Sequence, residues 1–225
     1  MITVGLTGGI GSGKTTVSEL FAQIGIPIFN TDLAAKDARA KPYIKKKLIT
    51  AFGEDAVLTE GQLDTKKLSD IIFNDDEKLK IMTDIISEDV IIQYRTFCKK
   101  NKKADYVIME SAILRELGIA DKFDFIISVL ADRKTRIERV KKRSGLSEGE
   151  VIARMEHQSD DNILRIMADF VITNDFVPDG NYIDLLNEQV KFIDKKLKLA
   201  KKLRKDGTES SFMQYFLVAI DKTVE

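Results

Sequence analysis

Gly8-Gly9-Ile10-Gly11-Ser12-Gly13-Lys14-Thr15 is a complete G-x-x-x-x-G-K-[ST] run, and it follows the apolar stretch Ile2 to Leu6. A strand ending at Thr7 and a helix starting at Lys14, continued by Val17, Leu20 and Phe21, would flank the glycines. Glycines let successive backbone N–H groups point into one concavity, and the helix start adds the positive end of its dipole. In this pattern Lys14 reaches the β- and γ-phosphates and the Thr15 hydroxyl binds Mg²⁺, while the backbone from Gly8 to Thr16 cradles the phosphates. A Gly-rich turn before an ordinary helix explains the glycines but not Lys-Thr placed at the helix start. The run predicts a P-loop and a nucleoside triphosphate bound to it.

Composition narrows the setting. The 225 residues suffice for one α/β domain with inserted subdomains. Lys and Arg number 36 against 36 Asp and Glu, so no global field favours nucleic acid, and any electropositive site must be local. The single cysteine, Cys98, excludes an internal disulfide framework, fits a reducing compartment and reads as a small buried apolar residue. No apolar run approaches the roughly 18–20 residues that span a bilayer, and a phosphate loop starting at Gly8 leaves no room for a cleavable leader. A soluble cytoplasmic protein is expected. The one histidine, His157, lies in a charged stretch and reads as solvated, so acid–base chemistry falls to a carboxylate.

Five short apolar runs read as buried parallel strands: Ile2–Leu6, Pro27–Phe29, Tyr106–Met109, Phe125–Leu130 and Phe170–Ile172. Helical patterns between them predict a three-layer α/β/α arrangement around a five-stranded parallel sheet. About seventy-five residues separate the second and third runs, far more than a normal crossover needs. That segment is helical, with Asp64 placed to cap a helix through Lys67-Leu68 and Asn74 with Glu77 in a capping-box arrangement. A second insertion starts at Asp132 and contains the capping box Ser147-x-x-Glu150. The expected organisation is a nucleotide-binding core of 1–32, 104–131 and 166–180, a helical acceptor-binding insertion over 33–103, a lid over 132–165, and a C-terminal helix and tail over 181–225. In the last part Ile183, Leu186, Val190, Ile193, Leu197 and Ala200 form a narrow apolar seam, expected to pack on the parent domain. Phe212 to Ile220 is apolar enough to dock somewhere.

Phosphoryl transfer needs in-line positioning and charge neutralisation more than covalent participation by the protein. Asp32 closes Phe29-Asn30-Thr31-Asp32 at the carboxyl end of the second strand, where it either accepts a proton from an attacking hydroxyl or caps a helix over Leu33 to Ala40. Arg133, Arg136, Arg139 and Arg143 fall within about 120° of one helix face, a phosphate clamp or a solvated basic face. With phosphates to bind, the clamp is the better reading, and Arg154 and Arg165 extend it. Glu110, ending the third strand, could hold a Mg²⁺ water ligand, cap a helix or form a salt bridge.

A GTPase is excluded, because Asn174-Asp175 has no lysine between and Glu110-Ser111-Ala112-Ile113 is no switch. A small kinase with an acceptor insertion and an arginine lid fits the layout. Over roughly residues 1 to 175 the sequence resembles the dephospho-coenzyme A kinase family. The resemblance rests on Val4 to Thr16, on Asp32, and on Phe52-Gly53, Gly61-Gln62-Leu63-Asp64, Leu68 and Ile72-Phe73. Arg139, Arg143, Arg154 and Gln158 match that family's lid, and Ala168-Asp169, Val171-Ile172 and Asn174 match its last strand. It departs from that pattern in three places. Asn30 stands for the first aspartate of D-A-D, Ser87-Glu88 for a His-Pro pair, and Ala112 for the proline of P-L-L-x-E.

The resemblance implies ATP-dependent phosphorylation of the ribose 3′-hydroxyl of dephospho-coenzyme A, with Asp32 as base. Lys14, Arg139 and Arg143 would offset charge on the moving phosphoryl, Thr15 would hold Mg²⁺, and Arg139 and Asn174 would join the nucleotide-binding set. The expected protein is a monomer or weak homo-oligomer with no nucleic-acid or membrane partner. The readings it competes with are a nucleoside monophosphate kinase and a non-catalytic protein that binds nucleotide or coenzyme A precursors.

Overall fold

The structure, a computed structural model, describes residues 1–72, 75–156, 158–175 and 181–205. Five strands form one sheet: β1 (Ile2–Thr7), β2 (Ile28–Asn30), β5 (Tyr106–Glu110), β6 (Phe125–Leu130) and β7 (Phe170–Thr173), in the order β2-β5-β1-β6-β7. The pairs β1–β5, β1–β6 and β6–β7 are parallel. Central β1 runs beside both neighbours, with Leu6 opposite Glu110 on one side and Ile127 on the other. Burial on both faces explains why β1, β5 and β6 are continuous apolar runs rather than alternating ones.

The strands match the sequence expectation to within a residue or two at each end. α1 (Lys14–Gln23) follows β1 through the phosphate loop, and after β6 come α7 (Arg133–Ser144), α8 (Glu148–Glu156) and α9 (Asp161–Met167). The Ser147–Glu150 capping box is formed, with Glu150 accepting from Ser147 N at 2.8 Å and Ser147 Oγ accepting from Glu150 N at 3.3 Å.

The C-terminal helix α10 (Tyr182–Lys205) packs on this core. Leu186, Val190, Ile193, Leu197 and Ala200 are buried with Phe21, Ile26 and Tyr106, so the apolar seam faces its own domain. Polar groups then hold the helix in register. Tyr106 donates to Asp194 at 2.8 Å, Lys201 pairs with Asp105 at 2.7 Å, and Arg204 pairs with Asp124 at 2.7 Å. Burial alone would raise the Asp124 pKa. The hydrogen bonds from Arg204 and from the Thr3 backbone and hydroxyl outweigh it and hold the carboxyl below the usual aspartate value.

The chain divides into two compact units, one of Met1–Ile28 with the described residues from Asn101 onward, the other of Phe29–Lys100. The second holds α2 (Thr31–Arg39), α3 (Pro42–Phe52), α4 (Glu54–Val57), β3 (Leu58–Thr59), β4 (Gln62–Leu63), α5 (Thr65–Ile72) and α6 (Asp76–Lys100). Its core gathers Ile44, Leu48, Val57, Leu58 and Leu68. The β3–β4 hairpin was not anticipated. Its two-residue turn, Glu60-Gly61, has φ of 50° and 75°, the left-handed pair that a tight hairpin demands. Strands of two residues are too short to show a period.

The expected cap at Asp64 is present, accepting from Lys66 N at 2.9 Å and Lys67 N at 3.1 Å. At the start of α6 it is Asp75 that accepts from Lys78 N at 3.0 Å. Phe73 and Asn74, with the proposed Asn74–Glu77 box, lie outside the described residues, as do His157 and the Phe212–Ile220 stretch. Within this unit Asp89 is 2 % exposed and accepts from Lys41, Tyr43 and Gln93, a buried carboxylate with charged and neutral donors around it. Cys98 is partly buried, and burial raises its thiol pKa.

Two measurements test how α10 is held. Leu197→Ala should lower unfolding free energy by about 2–5 kcal/mol in urea titrations, since a fully buried leucine leaves a cavity. Because the folded Asp124 binds its proton less readily than the unfolded chain, its stabilisation is complete above roughly pH 4 and is lost as pH falls through that range. Asp124→Asn should therefore flatten this part of the stability–pH curve.

Candidate functional site

The phosphate loop is built by a change of backbone hand. After Thr7 the chain turns through Gly8 to Gly13, and Gly13, at φ 91°, starts α1. Only glycine fits there for a second reason: a Cβ on Gly13 would lie 2.1 Å from Asn174 Nδ2. No side chain caps α1, and its first turn carries no acidic residue, so its first backbone N–H groups are not capped by the helix's own side chains.

The outward-facing groups of the loop are bound by the protein. Asn174, buried at the end of β7, donates to Ser12 O at 2.8 Å, and Arg139 donates to Asn174 O at 2.9 Å. Arg136 donates through Nε to Ile10 O at 2.9 Å, and Gln158 Oε1 accepts from Ile10 N at 2.6 Å. Lys14 folds back over the loop, its Nζ 2.5 Å from Gly8 O. Ser12 Oγ is buried without a hydrogen-bond partner, close to where a Cβ on Gly8 would lie.

The Thr15 hydroxyl donates to Glu110 Oε1 at 3.0 Å, and Ser18 Oγ lies 2.9 Å from Glu110 Oε2. Glu110, 6 % exposed at the end of β5, thus faces the helix start of the P-loop. Among the described residues no group of three His, Cys, Asp or Glu could hold a metal alone. A hydroxyl backed by one carboxylate suits a hard cation that keeps waters and binds phosphate oxygens, which is how Mg²⁺ is usually held.

The arginine face divides. Arg136 is 4 % exposed; besides Ile10 O it pairs with Asp161 at 2.7 Å, and a Cβ on Gly9 would meet its Nη2 at 2.1 Å. The expectation of a phosphate clamp therefore fails for Arg136, which is an internal brace: the helix face it shares turns onto the loop. Arg139 is half-buried against Asn174, while Arg133, Arg143, Arg154 and Arg165 are exposed.

The proposed cap at Asp32 is also corrected. α2 begins at Thr31, not Leu33, and Asn30 caps it by accepting from Leu33 N at 2.9 Å. Asp32 stands exposed in the first turn of α2, and its carboxylate is not the helix cap. Asn30 and aspartate cap equally well, which accounts for the asparagine. Ser87 and Glu88 sit inside the uninterrupted 25-residue α6, where Glu88 pairs with Lys47. Glu116 accepts from Ser159 N at 2.9 Å and from Ser159 Oγ at 2.6 Å, tying the segment after β5 to the joint before α9. No sequence signal pointed to Asp161, Ser18 or Ser159. A cavity of about 340 Å³, lined by Thr173, Asn174, Asp175, Tyr182, Leu185 and Gln189 among others, opens beside Asn174. No helix among the described residues is long and apolar enough to cross a membrane.

Comparison with known proteins gives concordant matches. The sequence profile of the dephospho-CoA kinase family matches residues 2–178. A dephospho-CoA kinase of Fusobacterium nucleatum is 35 % identical over 196 residues, covering 85 % of this chain and 97 % of its own. The crystal structure of a Thermus thermophilus protein superposes with a TM-score of 0.72 at 31 % identity, over 86 % of this chain and 97 % of that one. A dephospho-CoA kinase from Campylobacter jejuni shares the fold with a TM-score of 0.62 at 23 % identity, over 87 % and 97 %.

Gly13→Ala tests the loop geometry directly. The added methyl meets Asn174 in a backbone region closed to alanine, so calorimetric affinity for a Mg²⁺-triphosphate should fall at least about tenfold. Unchanged affinity would mean that the phosphates do not rest on this loop.

Proposed function

The chain belongs to the dephospho-coenzyme A kinase family, and from that membership and the geometry of its P-loop we propose that it transfers the γ-phosphoryl group of ATP to the ribose 3′-hydroxyl of dephospho-coenzyme A. The products are coenzyme A and ADP, the last step of coenzyme A synthesis. The observation that carries this reading is the braced loop: Asn174, Arg136 and Gln158 bind carbonyls and an amide of its backbone, while Lys14 folds over it at the start of a helix that no side chain caps.

In this proposal Lys14 and Arg139, with Arg143 from the lid, balance charge on the phosphoryl as it moves. Thr15, with Glu110 behind it, would hold Mg²⁺, and the cation would supply further charge neutralisation. Asp32 accepts the proton of the 3′-hydroxyl as its oxygen bonds to phosphorus and the bond to the β-phosphate oxygen breaks. Asn30 supports that role, because by capping α2 it leaves the neighbouring carboxylate to other work. Residues 33–103 serve as the acceptor-binding insertion and 132–165 as the lid that excludes water from the transfer. All reactants are small soluble molecules, so the enzyme acts in the cytoplasm and needs neither nucleic acid nor membrane.

Purified protein with ATP and Mg²⁺ should phosphorylate dephospho-coenzyme A and leave nucleoside monophosphates unchanged; the opposite pattern would replace the proposal with a nucleoside monophosphate kinase. Asp32→Asn should reduce kcat by about 10²–10⁴-fold, the usual worth of a general base, while calorimetric ATP affinity stays within about threefold. Full turnover in that variant would remove Asp32 as the base.

A further inference from the structure

Ile10 occupies one of the variable places of the phosphate-loop motif, yet every part of it is held. Its N–H donates to Gln158 Oε1 at 2.6 Å, its carbonyl accepts from Arg136 Nε at 2.9 Å, and its side chain packs against the Ile137, Val140 and Val151 cluster. All of these partners come from the segment over 132–165. The joint between α8 and α9 is secured at neighbouring residues as well: Ser159 by Glu116, and Asp161 by Arg136. Arg154 lies in the last turn of α8, and Gln158, just past that helix, donates through N to Met155 O at 3.1 Å.

We infer that Gln158 is a positioning residue for phosphoryl transfer, registering the α8 arm and its Arg154 on the phosphate loop through the Ile10 amide. The reasoning is mechanical. Arg136 holds α7, the apolar cluster packs both α7 and α8 on the Ile10 side chain, and the Gln158 amide oxygen adds a directional bond from the end of the α8 arm to the loop backbone. The acceptor oxygen alone makes this bond, since the Ile10 N–H has one proton to give. When phosphate settles on the inner side and draws the loop backbone to itself, Ile10 carries that adjustment to the α8–α9 joint. Gln158 touches no reacting atom; it acts through Ile10. This inference rests on the reading that the loop binds ATP.

The test compares the full-length parent with Gln158→Met, which keeps length and removes the acceptor, and Gln158→Glu, which keeps an acceptor oxygen at the same reach. In steady-state assays Gln158→Met should lose about ten- to a hundredfold in kcat, as a small misplacement of catalytic groups does, with KM for dephospho-coenzyme A within about twofold. Gln158→Glu should recover most of the lost kcat. Hydrogen exchange gives a readout independent of turnover. Mg²⁺-ADP should slow exchange in the peptide over 148–156 of the parent and of Gln158→Glu, but not of Gln158→Met, even though all three bind ADP by calorimetry. If the longer thioether disturbs folding, Gln158→Ala gives the same comparison. A Gln158→Met or Gln158→Ala protein with parental kcat and parental nucleotide-dependent protection would overturn the inference, as would a Gln158→Glu protein as impaired as Gln158→Met. A parent that binds no nucleotide would instead overturn the function proposed above and leave the clasp without a purpose.

Discussion

A loop that presents its backbone amides to an anion must have its other polar groups satisfied from behind, and in this protein that constraint is met by Asn174 on Ser12 O and Arg136 on Ile10 O. Buried peptide groups left unpaired are costly, so without these donors the loop carbonyls would have to find other donors, its own amides among them. The donors come from distant parts of the chain, Asn174 from the end of β7 and Arg136 from α7. The sheet order makes this possible. β1 lies next to β6, and β6 next to β7, so the residues leaving all three strands emerge on the side where the phosphate loop stands.

The same constraint gives α10 a part beyond filling the core. β7 is an edge strand, and its terminal residue Thr173 exposes an amide and a carbonyl on the open side. Gln189 of α10 binds both, accepting from Thr173 N and donating to Thr173 O, each at 3.0 Å. The residue that follows is Asn174. Docking α10 through Leu186, Val190 and Leu197 therefore steadies the donor that holds Ser12. Core packing, edge-strand pairing and loop geometry form one chain of causes. The acid-sensitive Arg204–Asp124 contact at the other end of α10 belongs to the same scaffold.

Glu110 shows how burial turns an ambiguous residue into a defined one. From the sequence it could have been a metal-water ligand, a cap or a salt-bridge partner. Placed at the end of β5 opposite Leu6, it faces Thr15 and Ser18, the two hydroxyls that α1 projects on that side. Accepting from both hydroxyls, its carboxylate stands beside the threonine of the motif. Arg136 is the opposite case, because burial against Asp161 and Ile10 removes its guanidinium from the surface that its helix spacing suggested.

Most local signals were legible. The strands announced themselves as unbroken apolar runs, α1 by its start at Lys14, α5 and α8 by Asp64 and Ser147-Glu150, and α10 by its apolar seam. The phosphate loop needed only its own eight residues, since the φ values and close approaches it demands exclude any residue but glycine at Gly13. What the sequence could not determine was of two kinds: close competitors within one turn, where Asn30 rather than Asp32 caps α2 and Glu60-Gly61 closes a hairpin of two-residue strands, and side chains meeting across long separations, where Arg136 points inward while Arg143 stays exposed. Helical periodicity locates a face to within an angular sector but not what lies opposite it. Only the packed sheet, by setting β6 and β7 beside β1, decided which of those polar groups reach the loop and which remain in water.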